Sequence, residues 1–189
     1  MALRILLFSG LVLHKIIWEA LKRSAGTEQR SARKKRPPTV LALKAVKLLV
    51  LLFILVQTLT LDILPIMDDP GALRAVGVAL YAVGLATAIA GRMQLGRNWV
   101  DFEDYTVMKS QSLVAEGVYR YVRHPIYTGD IFLLLGLELA LNSWLVLAVA
   151  VLFAVVYRQA AAEEKVLAET IPGYGDYCSR TKRFIPYVI

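Results

Sequence analysis

Thiols and imidazoles are scarce in this chain: one cysteine, Cys178, and two histidines, His14 and His124, among 189 residues. A lone cysteine excludes an internal disulfide, and so few soft or imidazole ligands leave no plausible zinc cluster. No metal site is therefore expected, and Cys178 reads as a packing residue. A strand followed by G-x-G-x-x-G is missing, and GYG at Gly173 to Gly175 is too short to replace it, which argues against a soluble nucleotide-binding domain. There is no internal repeat, and no matching polar positions at the middle of two halves, as a small membrane transporter would require. The transporter is the non-enzyme alternative.

What the chain has in abundance is apolar residues. It is 57% hydrophobic with a mean hydropathy of +0.54, and its polar residues come in blocks, as expected of an integral membrane protein whose apolar surface is solvated by lipid. Its length fits one domain, 1–189. The net charge of +7 is unevenly spread, because Lys22, Arg23, Arg30, Arg33, Lys34, Lys35 and Arg36 crowd one connection. That pattern holds a loop on the cytoplasmic side and favours anionic lipid as its contact. No recognition fold or aromatic interleaving accompanies it, so nucleic acid is not expected as a partner.

The hydropathy pattern predicts an all-α fold, a polytopic membrane helical bundle of about five transmembrane helices. Leu3 to Leu21 is the first span, carrying His14, Lys15 and Glu19; Arg4 alone is a weak basic start for a signal peptide, so a retained helix is expected. Pro37 and Pro38 close the basic loop, and Leu41 to Leu64 is the clearest span. After the acidic turn at Pro65 to Gly71, suited by Asp68 and Asp69 to the outer face, Ala72 to Ala90 returns inward. Gly77, Gly84 and Gly91 recur every seven residues, so they share a face on which another helix could pack closely, though glycine is also merely common in membrane helices. Gly129 to Tyr157 is too long for one comfortable span and is interrupted by Asn142, Ser143 and Trp144. It reads as a helical hairpin with arms of about 13 residues, about 20 Å each at 1.5 Å per residue. The hairpin, rather than one span, returns Arg158, Arg180, Lys182 and Arg183 to the cytosolic side, where the C-terminal helices should lie.

Two polar segments then meet on that side. GVYRYVRHPIY at Gly117 to Tyr127 places Arg120, Arg123 and His124 just before an apolar run, and Pro125 forces His124 out of the α region, breaking the helix at a membrane boundary. Irregular backbone there must be buried in protein or line a wet cavity. The second segment carries Arg158, Glu163 and Glu164 on a helix favoured by Ala160, Ala161 and Ala162. Each has a plainer reading: His124 as a satisfied histidine, the glutamates as a solvated face, and Tyr119, Tyr121 and Tyr127 as an interfacial belt. Asp130 and Glu138, eight residues apart on a similar face, are intramembrane carboxylates; Asp130 is near enough to the boundary to be hydrated, and Glu138 should find a partner or lie near the outer turn.

LVAEGVYRYVRHPIYTG at Leu113 to Gly129, EE at Glu163 and Glu164, and GYGDYCSRTKRFIP at Gly173 to Pro186, with LGRNW at Leu95 to Trp99, resemble the isoprenylcysteine carboxyl methyltransferase family and its phospholipid methyltransferase relatives. The likeness covers roughly the C-terminal half. It implies an integral membrane enzyme that uses S-adenosylmethionine, with a cofactor-binding part over about 92–189. By the resemblance, Leu113, Val114, Gly117, Val118, Tyr119, His124, Pro125, Tyr127, Glu163 and Glu164 would hold the cofactor. Arg158 is then the first choice for holding the substrate's acidic group, Arg123 the second, with Glu164 beside them. Lys165 stands where the family often has a third acidic residue. The implied acceptor is a lipophilic small molecule or a prenylated substrate carrying a carboxylate, already ionised at pH 7 and needing no base. The alternative is a phospholipid amine head group, which must lose a proton first and would make His124 or a glutamate a base.

Overall fold

The computed structural model describes residues 1–24, 38–98 and 112–188. Arg30, Arg33, Lys34, Lys35, Arg36 and Pro37 of the basic connection, and Trp99, lie outside them. Six α-helices are present among the described residues: α1 Ala2–Ser24, α2 Pro38–Thr60, α3 Gly71–Leu95, α4 Pro125–Ala140, α5 Val146–Thr170 and α6 Tyr174–Arg180. Short 3-10 turns span Gly96–Asn98 and Gly117–Arg120, and no strand longer than an isolated bridge occurs among the described residues. Punctuation follows the residues. Pro38 and Pro125 open their helices, where a missing N–H costs nothing, and α3 stops at Gly96, whose φ of 53° a side chain would resist.

Among the described residues, three helices are long and apolar enough to cross a membrane: Leu41–Thr60 within α2, α3 and α5. The first predicted span is a 23-residue helix, α1, but its charges keep it out of that group. The hairpin forms with its turn at the predicted place, Asn142 taking a φ of 60°, yet its arms are not the equal pair expected. α4 begins at Pro125 and has 16 residues, about 24 Å, whereas α5 has 25, about 37 Å. Pro125 starts α4 early because it presets φ for a first turn, and nothing breaks α5 before Pro172, so it carries Glu163 and Glu164 on the same unbroken rod.

The glycine register is a packing seam. A Cβ on Gly77 would run into the backbone of Ala140 and Gly136, one on Gly84 into Leu133 and Gly129, and Gly91 faces Pro125 and Ile126. The seam is reciprocal, because Gly129 meets Ala88 and Gly136 meets Tyr81. α3 and α4 therefore run antiparallel with their backbones nearly touching, as small residues permit in lipid, where association rests on van der Waals contact. Tyr81 extends the contact to α1 by donating to the Leu7 carbonyl at 2.6 Å.

At the turn end of the bundle, polar atoms satisfy one another. Asn142 donates to the Met67 carbonyl at 2.8 Å, and Trp144 N–H donates to the Leu64 carbonyl at 2.9 Å, joining the hairpin turn to the connection before α3. Arg4 reaches the carbonyls of Gln57, in the last turn of α2, and of Leu61 just past its end, at 3.1 Å each, and pairs with Asp62, placing a cation where the α2 dipole is negative. Glu138 finds its partner in Gln57, which donates to it at 2.8 Å. Asp130 lies 3.3 Å from His14 of α1.

Replacing Gly84 by alanine should lower stability by about 1–3 kcal/mol through overpacking, whereas Gly175→Ala, which meets no atom within 4 Å, should leave it unchanged. Unfolding of the detergent-solubilised protein compares the two directly.

Candidate active site

Opposite the turn end, the chain after α6 is laid against the segment before α4. Arg123 N–H donates to the Lys182 carbonyl at 2.8 Å and His124 N–H to the Arg183 carbonyl at 3.1 Å, around a parallel bridge between Val122 and Lys182. The Thr128 hydroxyl lies 3.0 Å from both the His124 and Phe184 carbonyls. His124, at the cap position before α4, has φ −123° and ψ 58°, outside the α region as the following proline requires.

Glu164 is the electrostatic centre of this end. It accepts from Arg183 at 3.0 Å (Nε) and 2.7 Å (Nη2), from Arg123 Nε at 2.8 Å, and has His124 Nε2 at 3.1 Å. The hydrogen bond to Glu164 raises the Arg183 pKa above its already high ordinary value. Arg123 also donates through Nη1 to the carbonyls of Cys178 and Thr181. Glu163, one residue earlier, points elsewhere: it accepts from the Tyr127 hydroxyl at 2.5 Å and Gln159 Nε2 at 3.1 Å, with His124 Nδ1 at 3.8 Å. The imidazole thus stands between the two carboxylates. Two guanidinium groups surround Glu164, while Glu163 leaves acceptor capacity on the other side of the ring.

On that other side is a cavity of about 130 Å³. Its apolar wall comes from Leu95, Leu113, Val114, Ile126, Leu167 and Ile171, its aromatic wall from Tyr119, Tyr127, Tyr174 and Tyr177, and its polar edge from Asn98, Ser112, Arg123, His124 and Glu163. A wider cleft of about 590 Å³ adjoins it along Gln94 and residues 113–117. Tyr177 donates to the Tyr119 carbonyl at 2.7 Å and Tyr119 to the Gly91 carbonyl at 3.3 Å. Burial pushes the Tyr177 phenol up to about 12 and raises Tyr119 and Tyr174 as well, so these hydroxyls stay neutral at pH 7.

Seven of the expected residues line this cavity: Leu113, Val114, Tyr119, Arg123, His124, Tyr127 and Glu163. Glu164 sits behind it, on the arginines. Gly117 lines the adjoining cleft, with φ 59° and the Gln94 side chain against it, while Val118, whose N–H donates to Gln94 at 2.8 Å, and Pro125, packed on Gly91, support the wall. Arg158 is not brought to the cavity. It is exposed, because five residues turn a helix by about 140° and carry it away from the Glu163 face. Tyr119 and Tyr127 are cavity walls, and only Tyr121 keeps the exposure of an interfacial ring. Cys178 is half-buried against Ile171, Tyr174 and Tyr177, in keeping with a packing role. Sequence reasoning passed over Leu167, Ile171, Tyr174, Tyr177 and Arg183. The four-residue steps from Glu163 to Leu167 and Ile171 were the available signal for the first two.

A helical membrane bundle with a charged, aromatic-walled pocket at one end of its helices is the class that fold and site define. Residues 73–173 match the family model for phospholipid methyltransferases, more than half of the chain, and the chain belongs to that family. Over 114 residues it is 35% identical to the cobalt-zinc-cadmium resistance protein CzcN of Cupriavidus metallidurans, covering 58% of this chain and 48% of that protein. Over 116 residues it is 30% identical to the nickel-cobalt-cadmium resistance protein NccN of Alcaligenes xylosoxydans xylosoxydans, covering 59% and 52%. The chain thus spans about half the length of these curated relatives. Its fold is similar to that of the eukaryotic intramembrane Ras methyltransferase ICMT (isoprenylcysteine carboxyl methyltransferase), with a TM-score of 0.63 at 19% identity over 98% of this chain and 68% of that one.

Glu164→Gln should destabilise the protein by about 3 kcal/mol or more, since it leaves two closely held guanidinium groups without their counter-charge. Thermal unfolding of the variant against Glu163→Gln, whose carboxylate meets neither arginine, isolates that effect.

Proposed function

We propose that this chain is an S-adenosylmethionine-dependent membrane methyltransferase acting on the carboxylate of a lipophilic, isoprenylcysteine-like acceptor. The observation that carries the reading is the division of charge across His124: a carboxylate, Glu163, on the cavity side, and two arginines against one carboxylate, Glu164, on the other. Glu163 with Tyr127 and His124 suits the cationic amino-acid end of the cofactor, and Leu113, Val114, Tyr119, Tyr174 and Tyr177 suit its planar, partly apolar end. Gly117, Val118 and Pro125 keep that wall in shape. The residues present fit the cofactor.

The cofactor supplies a methyl group on a positively charged sulfur, and the protein's part is alignment. Arg123 and Arg183 form a cationic surface that can fix an acceptor carboxylate by charge-assisted hydrogen bonds. Glu164 holds both guanidinium planes in place. An ionised carboxylate attacks without prior proton loss, so no general base is required. Arg123, which lines the cavity, takes the substrate-orienting role ahead of Arg158. A cytosolic position for the site is supported by Lys22 and Arg23 at the end of α1, whose other end, at Arg4, meets the turn-side end of α2. The second reading, methylation of a phospholipid amine, is favoured by the family's own name, but an amine would meet like charge at the arginine pair.

Purified protein with methyl-labelled S-adenosylmethionine and a panel of prenylcysteine analogues and amine lipids should label the carboxylates. Their rate should be nearly flat from pH 6 to 8, because a carboxylate of pKa about 4 is ionised throughout, whereas an amine acceptor would lose rate steeply as pH falls. Glu163→Gln should weaken cofactor binding about tenfold, and Arg123→Ala should lower acceptor kcat/KM by about a hundredfold with cofactor binding little changed. Label on amines alone, or equal loss of both properties in Arg123→Ala, overturns the assignment.

A further inference from the structure

The inner end of α3 carries two side-chain amides that the division of charge across His124 leaves unused. Gln94 accepts the Val118 N–H through Oε1 at 2.8 Å, and Asn98, in the turn that follows α3, accepts the Ser112 N–H through Oδ1 at 2.8 Å, with the Ser112 hydroxyl 3.5 Å from the same oxygen. The stretch between these contacts supplies Leu113 and Val114 to the cavity wall and also borders the adjoining cleft. Residues 112–116 have no helix or strand of their own. Backbone groups in such a stretch need partners from elsewhere, and the end of α3 provides one on each side.

The support is itself fixed. Gly91, Gln94 and Asn98 are spaced three and four residues apart, as on one helix face, and the Gly91 carbonyl receives the Tyr119 hydroxyl at 3.3 Å, a third tie to the same stretch. Arg92, which is buried, donates to the Gly96 carbonyl at 3.1 Å and lies 5.7 Å from the centre of the Trp18 ring of α1, holding the turn that carries Asn98. Gly117 completes the fit, because a Cβ there would run into the Gln94 amide. Asn98 also borders the cavity, whereas Gln94 borders only the cleft beside it. Gln94 therefore acts on a cavity ligand through the wall alone.

We infer that Gln94 and Asn98 are positioning residues of the cofactor site: their side-chain carbonyls hold the two ends of the 112–118 wall and so keep Leu113 and Val114 against the cavity. What each supplies is an acceptor oxygen for a backbone N–H, which a carboxylate supplies equally well and an alkyl group of similar size does not. The inference rests on the methyltransferase reading for what fills the cavity. The strap itself is independent of that reading.

The test compares Gln94→Leu and Asn98→Leu, which remove the acceptor, with Gln94→Glu and Asn98→Asp, which keep it, in the full chain in lipid nanodiscs. Hydrogen exchange of the 112–118 amides is followed by mass spectrometry, and binding of S-adenosylhomocysteine is measured in parallel, its lack of net charge keeping the added carboxylates from biasing the result. Each leucine variant should speed exchange of the stretch and weaken binding about fivefold, as loss of one hydrogen bond predicts, with the carboxylate variants within about twofold of wild type. In turnover, the leucine variants should raise the KM for S-adenosylmethionine and leave kcat and the acceptor KM little changed. Gln94 is exposed, so its variants are expected to fold even if Asn98→Leu does not. Unchanged exchange in folded Gln94→Leu, wild-type affinity in that variant, or an equal loss in Gln94→Glu overturns the assignment. Exchange that responds as expected in a protein that binds no S-adenosylhomocysteine leaves the strap standing and removes the methyltransferase reading.

Discussion

Backbone-to-backbone contact between α3 and α4 is the constraint from which the rest of the geometry follows. In lipid there is little hydrophobic gain from pairing two apolar helices, so their relative position is set by how closely they can pack. Gly77, Gly84 and Gly91 on one side, and Gly129 and Gly136 on the other, remove the side chains that would keep the axes apart. The last contact in the series, Gly91 against Pro125 and Ile126, fixes the first turn of α4. It thereby fixes where the backbone can leave the helix. His124 and Arg123 inherit their positions from that seam, and Tyr119 is tied to the same place through the Gly91 carbonyl.

A second constraint is electrostatic. Three segments far apart in sequence, the RHP stretch, α5 and the chain after α6, converge on the Glu164 carboxylate. Two cations held by one anion in a partly dehydrated place are costly unless each donor is satisfied, and the structure meets this with the Cys178 and Thr181 carbonyls for Arg123 and the Tyr157 ring for Arg183. The excess positive charge is thereby kept at a defined spot. Glu163, turned toward the cavity, keeps negative charge on the opposite side of the same imidazole.

Much of this was legible in the sequence, for reasons that can be named. The break at His124 follows from Pro125 by sterics alone, the hairpin from Asn142, Ser143 and Trp144 in an overlong apolar run, and the seam from a glycine period of seven. The motifs singled out Leu113, Tyr119, His124, Tyr127 and Glu163, and the structure gathers these around one cavity. Arg158, the first choice by resemblance for the substrate's acidic group, is carried by helical phase to an exposed face away from Glu163. Arg183 was hidden for a different reason: it is 19 residues from Glu164, and only the bridge between Val122 and Lys182 brings it there. Long-range pairing of a short tail has no local periodicity to announce it. The unequal arms of the hairpin were missed because the second arm was measured by its apolar run, which ends at Tyr157, while helix propensity continues it to Thr170.

That uninterrupted α5 is what makes one site out of two compartments. Adjacent residues on a helix differ by about 100° in direction, so Glu163 and Glu164 address opposite sides of His124 from neighbouring positions on one rod. The turn before them presents Gln159 to Glu163 and, further back, Tyr157 and Phe153 to Arg183 and Phe184. Had α5 ended at the membrane boundary, the two carboxylates would sit on a flexible turn with independent orientations. As a continuous helix anchored at its far end by the hairpin turn, it couples them: any rotation that moves Glu163 with respect to the cavity moves Glu164 with respect to the arginines. The relative placement of the cavity side and the arginine side of the site is therefore a property of helix phase, and for an in-line transfer between two partners that placement is the quantity that matters most.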